Sequence, residues 1–274
     1  MKLLKTLLNF YINSNIHVAL AVYSLVRITD LYFDLPKNNN LSYFIFFGTI
    51  VGYSFIKYAT LVKQKNKKIS GSLQAIKLLS LVCFIFMVYY GWQINFQTLL
   101  LFIPFLLLTF MYGFPFIENS NKTLRSIGYL KLFIVALVWS GVTLLIPLLD
   151  SKVIFSLNLV LLFIERMMFI VVLTLPFEIR DMTLDTDNVK TLPQKIGIKK
   201  TKKLGLTLLL FCLVIEFLII DQVEVRNVFI FISMLLLILL MRAKINQSKY
   251  YCSLWLESIP ILWWVFLLGI LNFS

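Results

Sequence analysis

The chain has 274 residues, of which 60% are hydrophobic and only 14% are charged. Soluble domains are about 45–50% apolar and about 25% charged, so this composition excludes an ordinary soluble globular protein. The formal net charge of +13 does not indicate a nucleic-acid partner, because the basic residues lie between long apolar blocks. We therefore expect an integral membrane protein in contact with lipid and without nucleic acid.

The apolar blocks follow one another at the length that a bilayer requires of a helix, about 17–25 residues. They are too long and too evenly apolar for barrel strands, which alternate over about 10 residues. We predict an all-α membrane protein, a single domain over residues 1–274, built as a bundle of about nine transmembrane helices. The predicted helices are 12–29, 41–61, 74–92, 96–116, 127–148, 153–177, 204–221, 226–241 and 251–272.

The basic residues predict how the bundle is oriented. Most Lys and Arg residues fall at the N-terminus and after the second, fourth, sixth and eighth predicted helices. The opposite side has only Arg27, Lys37, Lys152 and Arg226. Cytoplasmic loops carry the excess of Lys and Arg, so we expect the N-terminus and those basic loops in the cytoplasm. The frequent Phe, Ile, Lys and Asn residues favour the cell membrane of an AT-rich bacterium.

The three cysteines do not indicate a metal or redox site. Cys83, Cys212 and Cys252 lie in or beside apolar blocks and form no Cys-x-x-Cys pair. The single histidine, His17, cannot complete a zinc site with them. We interpret the cysteines as small apolar packing residues.

A polar segment at the end of the sixth predicted helix indicates chemistry. Glu178, Asp181 and Asp185 are spaced by three and four residues, which places their carboxylates on one helix face, with Cβ atoms roughly 5–6 Å apart. Such carboxylates repel one another, and a hard divalent cation relieves the repulsion. Mg²⁺ typically takes one or two carboxylates, several waters and phosphate oxygens. The sequence therefore predicts a Mg²⁺ site here, with Asp181 and Asp185 as its main ligands.

Lysines follow this acidic segment closely. Lys190 and Lys195 come first, and a carboxylate–metal face beside lysines at a membrane surface suits a lipid diphosphate. Four more lysines lie at positions 199, 200, 202 and 203. We interpret those four as a charged cytoplasmic loop, as the orientation rule requires.

Two segments resemble a known family. EIRDMTLDTDNVKTLPQKIG, residues 178–197, is similar to the second aspartate motif of the UbiA superfamily of intramembrane prenyltransferases. Asp181 and Asp185 match its paired aspartates, Glu178 stands where the family often has Asp or Asn, and residues 190–193 match its (K/R)TLP. Residues 112–115 and 124–128 resemble its Tyr-x-x-Pro … Leu-Arg … Gly stretch. The resemblance implies nine helices around a central cavity, with cytoplasmic motif loops after helices two and six.

The chain departs from this family at the first aspartate motif, NxxxDxxxD. Where Ser54 takes the Asn position, Tyr58 and Val62 stand in place of the aspartates. Lys57 could supply the missing positive charge directly to phosphate, since lysine binds phosphate as a point charge. It could equally be a lysine that snorkels to the interface.

Asp30 and Asp34 have the spacing of the missing motif. The predicted orientation places them on the outer face, across a bilayer of about 30 Å from Asp181. We interpret their spacing as a coincidence.

Several polar residues lie within predicted helices. Isolated charges there are costly and usually face the interior of a bundle. We expect Arg166 to pair with a glutamate, Glu165, Glu216 or Glu257, either as an ion pair that locks helices together or as a polar floor to a cavity. For His17 the alternatives are hydrogen bonds between helices and a place in the cavity lining.

The resemblance implies a Mg²⁺-dependent prenyltransferase that transfers a polyprenyl group from its diphosphate to a small-molecule acceptor, often an aromatic ring as in quinone biosynthesis. It implies diphosphate binding by Arg125 and Lys190, and we add Arg180 and, in place of the missing motif, Lys57 as further candidates. A second hypothesis is a family member that has lost catalysis and binds lipid or organises partners. A third, a transporter or channel, rests only on the charges within helices. The sequence predicts neither the prenyl chain length nor the oligomeric state.

Overall fold

The computed structural model describes residues 2–62, 71–113, 130–182 and 191–273. These residues are almost entirely helical, and no strand occurs among them. Two short segments, Gly141–Leu145 and Tyr251–Leu256, are π-helical. The α-helices are α1 Lys2–Asn13, α2 Ile16–Tyr32, α3 Asn39–Val62, α4 Gly71–Trp92, α5 Phe96–Leu101, α6 Ile103–Gly113, α7 Leu130–Ser140, α8 Ile146–Asp150, α9 Leu157–Asp181, α10 Leu192–Ile196, α11 Ile198–Ile219, α12 Val223–Arg242 and α13 Ile259–Phe273.

Six helical stretches are long and apolar enough to cross a membrane, and each coincides with a predicted span. They are Leu73–Trp92, Phe96–Gly113, Leu130–Asp150, Leu157–Asp181, Val223–Arg242 and Tyr251–Asn272. The other three predicted spans fall on the helices α2, α3 and α11. The all-α membrane fold is confirmed, and the number of nine spans stays a prediction.

Prolines account for the interruptions in three of these stretches. Pro104, Pro147 and Pro260 each lie at the second residue of a helix, just after a break or a π-helical segment. Proline has no N–H for the carbonyl four residues before it, and its ring crowds that carbonyl. The carbonyl that Pro147 leaves is that of Thr143, and it accepts a hydrogen bond from the Thr29 hydroxyl at 2.8 Å. The neighbouring helix α2 therefore supplies the hydrogen bond that this carbonyl lacks within its own helix.

The helices form a ring. Helix α2 packs against α3 and α13, α3 against α6, α6 against α7, and α7 against α9. The ring closes through α12, which packs against both α9 and α13, while α11 packs against α9 and α12. Helix α4 lies on the outer side of this ring, against α3. Fully buried aromatic rings of Phe169, Phe229 and Trp263 fill the core between α9, α12 and α13, at centroid distances of 5.1–6.0 Å.

Candidate active site

A cavity of about 540 Å³ lies where α3, α6, α7 and α9 meet. This volume is within the range of small-molecule sites, about 300–1,000 Å³. We call it the polar cavity, because three basic and three acidic side chains line it. They are Lys57, Lys131, Glu178, Arg180, Asp181 and Glu257.

Helix α9 brings two of the predicted metal ligands to this cavity. The Ser156 hydroxyl caps its first turn by accepting from the Leu159 N–H, and the helix continues through Pro176 to Asp181. Glu178 and Asp181 thus lie about one turn apart at its last turn, as their spacing predicts. Both line the polar cavity.

Glu178 forms an ion pair that the sequence does not indicate. Its Oε1 lies 2.7 Å from Nζ of Lys131, and the two side chains are 2% and 13% exposed. Lys131 belongs to the first turn of α7, far from α9 in sequence, and sequence reasoning counted it only as a charge that sets orientation. A buried carboxylate requires such a partner, because an unpaired buried charge is very costly.

Asp181 is paired with its neighbour in sequence. The Nε of Arg180 lies 2.7 Å from Oδ1 of Asp181, and a second nitrogen donates to Oδ2 at 3.3 Å. The guanidinium also lies 5.2 Å from the centre of the Phe177 ring. Arg180 lines the polar cavity beside its partner. Both carboxylates at the end of α9 therefore carry a positive neighbour.

The second half of the motif closes the loop after α9. The Thr191 hydroxyl accepts from the Gln194 N–H at 3.4 Å, while Gln194 Oε1 accepts from the Thr191 N–H at 2.7 Å. This capping box begins α10. Gln194 also donates through Nε2 to the carbonyl of Met182 at 2.8 Å, which returns the chain to the end of α9. Asp185 and Lys190, like Arg125, lie outside the described residues.

Gly197 joins α10 to α11 with a φ of 83°. Only glycine adopts this region without strain, which explains the glycine at the end of the motif. Beyond it, Lys202 donates to the carbonyls of Met241 and Ala243 at 2.6 and 2.8 Å, and so caps the end of α12. Burial lowers the pKa of the Lys202 ammonium, and the nearby Lys244 lowers it further.

The region of the missing first motif contributes hydrogen bonds instead of carboxylates. Asn15, in the left-handed conformation between α1 and α2, donates through Nδ2 to the hydroxyl of Ser54 at 3.1 Å. Lys57 donates to the carbonyl of Asn13 at 3.0 Å. Lys57 and Asp181 nevertheless line the same cavity. The side chains of Tyr58 and Val62 lie outside those that the structure describes.

Aromatic side chains line the same cavity. Trp139 donates through Nε1 to the Tyr53 hydroxyl at 3.1 Å, which fixes both rings. Tyr112, from the Tyr-x-x-Pro stretch, also lines the cavity. Ring faces stabilise cations, so this wall is suited to positive charge on a bound organic group.

A second cavity of about 560 Å³ continues from the polar one. We call it the apolar chamber; no charged residue is among the side chains that line it. It lies between α3, α6 and α7, with Met87 of α4 at its side. Tyr53, Ile56, Thr109 and Trp139 belong to the walls of both cavities. Together the two cavities suit a molecule with a charged head and an apolar tail.

Other predicted lining residues lie elsewhere. Glu257 lines the polar cavity, whereas Glu165, Arg166 and His17 are in neither of these two cavities. His17 bonds to the Tyr11 hydroxyl at 2.8 Å, to the carbonyl of Leu254 at 3.0 Å and to the hydroxyl of Ser258 at 3.2 Å. It therefore joins α1 and α2 to the π-helical turn before α13. Burial raises the pKa of the Tyr11 phenol, and the negative charge of Glu257 raises it further.

The expected ion pair of Arg166 is wrong for the described residues. Arg166 donates instead to the carbonyl of Leu25 at 3.2 Å and lies 5.3 Å from the centre of the Trp263 ring. Glu216 accepts a hydrogen bond from the Tyr32 hydroxyl at 2.9 Å. A backbone carbonyl and a ring face thus contact the guanidinium, while Glu165 and Glu216 attract it by their charge without a direct ion pair. All of these groups lie in the interior of the bundle, apart from the polar cavity.

Asp30 is far from the candidate site. It forms an ion pair with Arg27 at 2.8 Å, near the end of α2. Asn15, at the start of that helix, lines the polar cavity. The fifteen steps along the chain from Asn15 to Asp30 span about 22 Å of helix. The spacing of Asp30 and Asp34 therefore does not bring a second carboxylate pair to Asp181.

The fold is similar to that of several solved structures. An apo structure of a UbiA homologue from Aeropyrum pernix K1 aligns with a TM-score of 0.68 at 12% identity, over 93% of this chain and 98% of that one. A UbiA homologue from Archaeoglobus fulgidus bound to DMAPP and Mg²⁺ aligns at 0.63 and 11% identity, over 97% and 100%. A digeranylgeranylglyceryl phosphate synthase aligns at 0.61 and 17% identity, over 99% and 100%.

No family model matches the sequence, and no curated protein matches it. The structural similarity nevertheless extends over nearly the whole chain. The protein therefore has the fold of the UbiA superfamily of intramembrane prenyltransferases, as the motif resemblance predicted.

The residues at the end of α9 fit a magnesium ion that is shared with phosphate. Glu178 and Asp181 present two carboxylates to the polar cavity, and Mg²⁺ needs no more from the protein when phosphate and water complete its shell. Within the described ranges, no group of three or more His, Cys, Asp and Glu side chains is placed to hold a metal.

Proposed function

We propose that the protein is a divergent UbiA-like prenyltransferase, which transfers a polyprenyl group from its diphosphate to a small-molecule acceptor. The observation that carries the proposal is that the polar cavity and the apolar chamber adjoin and share the side chains of Tyr53, Ile56, Thr109 and Trp139. A prenyl diphosphate has the same division into a charged head and an apolar chain. The UbiA homologue bound to DMAPP and Mg²⁺ has the same fold.

The basic residues of the polar cavity bind the diphosphate in this proposal. Three basic side chains from three different helices, Lys57, Lys131 and Arg180, line the polar cavity together with the acidic residues at the end of α9. Arg125 and Lys190, outside the described residues, add to this set by the motif resemblance. Positive groups that are already in place stabilise the charge that develops on a leaving diphosphate.

The aromatic residues act on the other side of the bond that breaks. Loss of diphosphate leaves an allylic cation on the prenyl group, and the fixed rings of Tyr53 and Trp139 lie at the junction of the two cavities. Ring faces stabilise such a cation. The apolar walls beyond them exclude water, which would otherwise capture the cation in place of the acceptor.

Glu178, Asp181 and Asp185 hold Mg²⁺ in this proposal, as the resemblance implies. The ion supplies positive charge to the leaving phosphate oxygens. The acceptor belongs to the class of small molecules, often aromatic, that the family prenylates in quinone biosynthesis. The N-terminus lies in the cytoplasm of a bacterial cell, which places the polar cavity at the inner membrane surface.

Release of diphosphate tests this function. Purified protein is incubated with geranyl, farnesyl or geranylgeranyl diphosphate and with candidate aromatic acceptors, in each case with and without Mg²⁺, and free diphosphate and prenylated acceptor are measured. We expect Mg²⁺-dependent release, reduced at least about a hundredfold in Asp181→Asn, since mutations of charge-stabilising groups cost about 10²–10³ in rate. Asp34→Asn, at the far end of α2, is the matched control and keeps the wild-type rate. Release at the wild-type rate from Asp181→Asn contradicts the proposal.

A second function has its own observation. At the position of the first aspartate motif, Ser54 is engaged by Asn15 and no carboxylate is contributed. A member that has lost catalysis and keeps only lipid binding fits this arrangement. It predicts Mg²⁺-independent binding of a prenyl lipid without diphosphate release, so the same assay separates the two functions.

A further inference from the structure

The apolar chamber opens at the outer surface of the bundle. Phe55 of α3 and Leu106, Leu107 and Phe110 of α6 line the chamber, and they are 52%, 63%, 58% and 54% exposed. Side chains that border a cavity and are also exposed mark its opening, which therefore lies between α3 and α6. These helix surfaces are apolar and belong to a membrane protein, so the opening leads into lipid and not into water.

The chamber is long and closed at its far end. It follows α3 from Phe44 to Ile56, a distance of about 18 Å at 1.5 Å per residue. That is more than half of a hydrocarbon core of about 30 Å. The rings of Phe44 and Phe102, 5.0 Å apart, lie at the end away from the polar cavity.

Gly52 occupies a particular position in the chamber wall. It lies on α3 next to Tyr53 and one turn before Ile56, at the end that joins the polar cavity. A Cβ atom built on Gly52 meets no atom of the described residues within 4 Å. Close packing therefore does not require glycine here, although glycine is unfavourable in the middle of a helix. What the missing side chain provides is space inside the chamber.

We propose that Gly52, at the end of the chamber that joins the polar cavity, determines which isoprenoid chain lengths pass the junction. The proposal rests on the proposed function, because the polar cavity must hold the diphosphate. A short isoprenoid chain ends at the junction near Tyr53 and Trp139. A long chain must pass Gly52 before it reaches the space in front of Phe44.

Binding of a homologous series tests this inference. Dissociation constants for dimethylallyl, geranyl, farnesyl and geranylgeranyl diphosphate are measured with Mg²⁺ on protein in nanodiscs, for wild type, Gly52→Ala and Gly52→Leu. We expect Gly52→Leu to weaken the binding of geranylgeranyl diphosphate by at least about tenfold, as a steric mismatch of a few methylenes does. The dissociation constant for dimethylallyl diphosphate changes by less than about twofold. For geranylgeranyl diphosphate, the dissociation constant of Gly52→Ala lies between those of wild type and Gly52→Leu.

Gly269→Leu is the matched control. Gly269 is also a helical glycine with open space at its Cβ position, and it lines neither cavity. We expect the Gly269→Leu protein to keep the wild-type affinities for all four diphosphates. An equal loss for every chain length in Gly52→Leu, or unchanged binding of the long chains, overturns the role of Gly52 and leaves the proposed function standing. A wild-type protein that binds none of the diphosphates overturns both.

Discussion

At the residue scale, the ion pair between Lys131 and Glu178 joins α7 to α9 at the polar cavity. Its Glu178 side is almost fully buried, with 2% of the side chain exposed. Removing one partner of a buried ion pair leaves an uncompensated charge, which costs about 3–5 kcal/mol. The pair here borders a cavity that admits water, so we take that range as an upper bound.

We expect Lys131→Met to lower the thermal stability of the protein clearly, and Lys131→Met/Glu178→Leu to recover much of the loss, because the double variant removes both charges of the pair. Unfolding in detergent can be followed with a thiol-reactive fluorescent dye, since Cys83, Cys212 and Cys252 are buried free thiols. A double variant less stable than Lys131→Met would show that the pair does not couple the two helices.

The placement of Glu178 and Asp181 could be predicted from the sequence, whereas the partner of Glu178 could not. The spacing of Glu178 and Asp181 places them on one face of α9, because a local period depends only on helix geometry. The partner Lys131 could not be predicted in this way, because it reaches Glu178 through tertiary packing. For the same reason the predicted pairing of Arg166 failed. The sequence shows which charged residues lie within helices, but not that the carbonyl of Leu25 and the ring of Trp263 lie beside Arg166.

At the element scale, the π-helical segment after α7 positions the wall of the apolar chamber. Gly141, the first residue of that segment, lies against the ring of Phe105, which lines the chamber. A Cβ atom at Gly141 would collide with that ring. The glycine is thus required by the close approach of α6.

We expect Gly141→Ala to destabilise the protein by about 1–3 kcal/mol, the usual cost of an overpacked core. Phe105→Leu, combined with it, should restore most of the stability by removing the ring that the new methyl group meets. Gly269→Ala serves as the control, because its Cβ position is open. The same dye-based unfolding measurement applies. A Gly141→Ala protein as stable as wild type would contradict the close packing of α6 against this segment.

The sequence predicted where the helical stretches lie better than where they are interrupted. Each of the six apolar stretches coincided with a predicted span, because length and hydropathy are local properties. The predicted span 96–116 contains a break at Phe102, and 127–148 contains a π-helical segment. Pro104 and Pro147 are visible in the sequence, but their effect depends on groups such as the Thr29 hydroxyl that satisfy the freed carbonyls.

At the scale of the whole molecule, the ring of helices encloses two connected cavities of different character. The charges come from the ends of α3, α7 and α9 and from Glu257 just before α13, and the apolar walls come from the middle of α3, α6 and α7. The motif resemblance predicted the fold and the charged end. The apolar chamber could not be predicted, because it depends on absent side chains at Gly52 and on how far α6 stands from α3.

The central claim is that the two cavities bind one prenyl diphosphate, and photo-crosslinking tests it most directly. Membranes are irradiated with two geranylgeranyl diphosphate analogues, one with a diazirine at the tail end and one with a diazirine beside the diphosphate, and the labelled peptides are sequenced. The account predicts tail labels within residues 44–56 and 102–110 and head labels on α7 and α9, both removed by excess unlabelled diphosphate. Tail labels on the outer face of α4, or labels that competition does not remove, would contradict it.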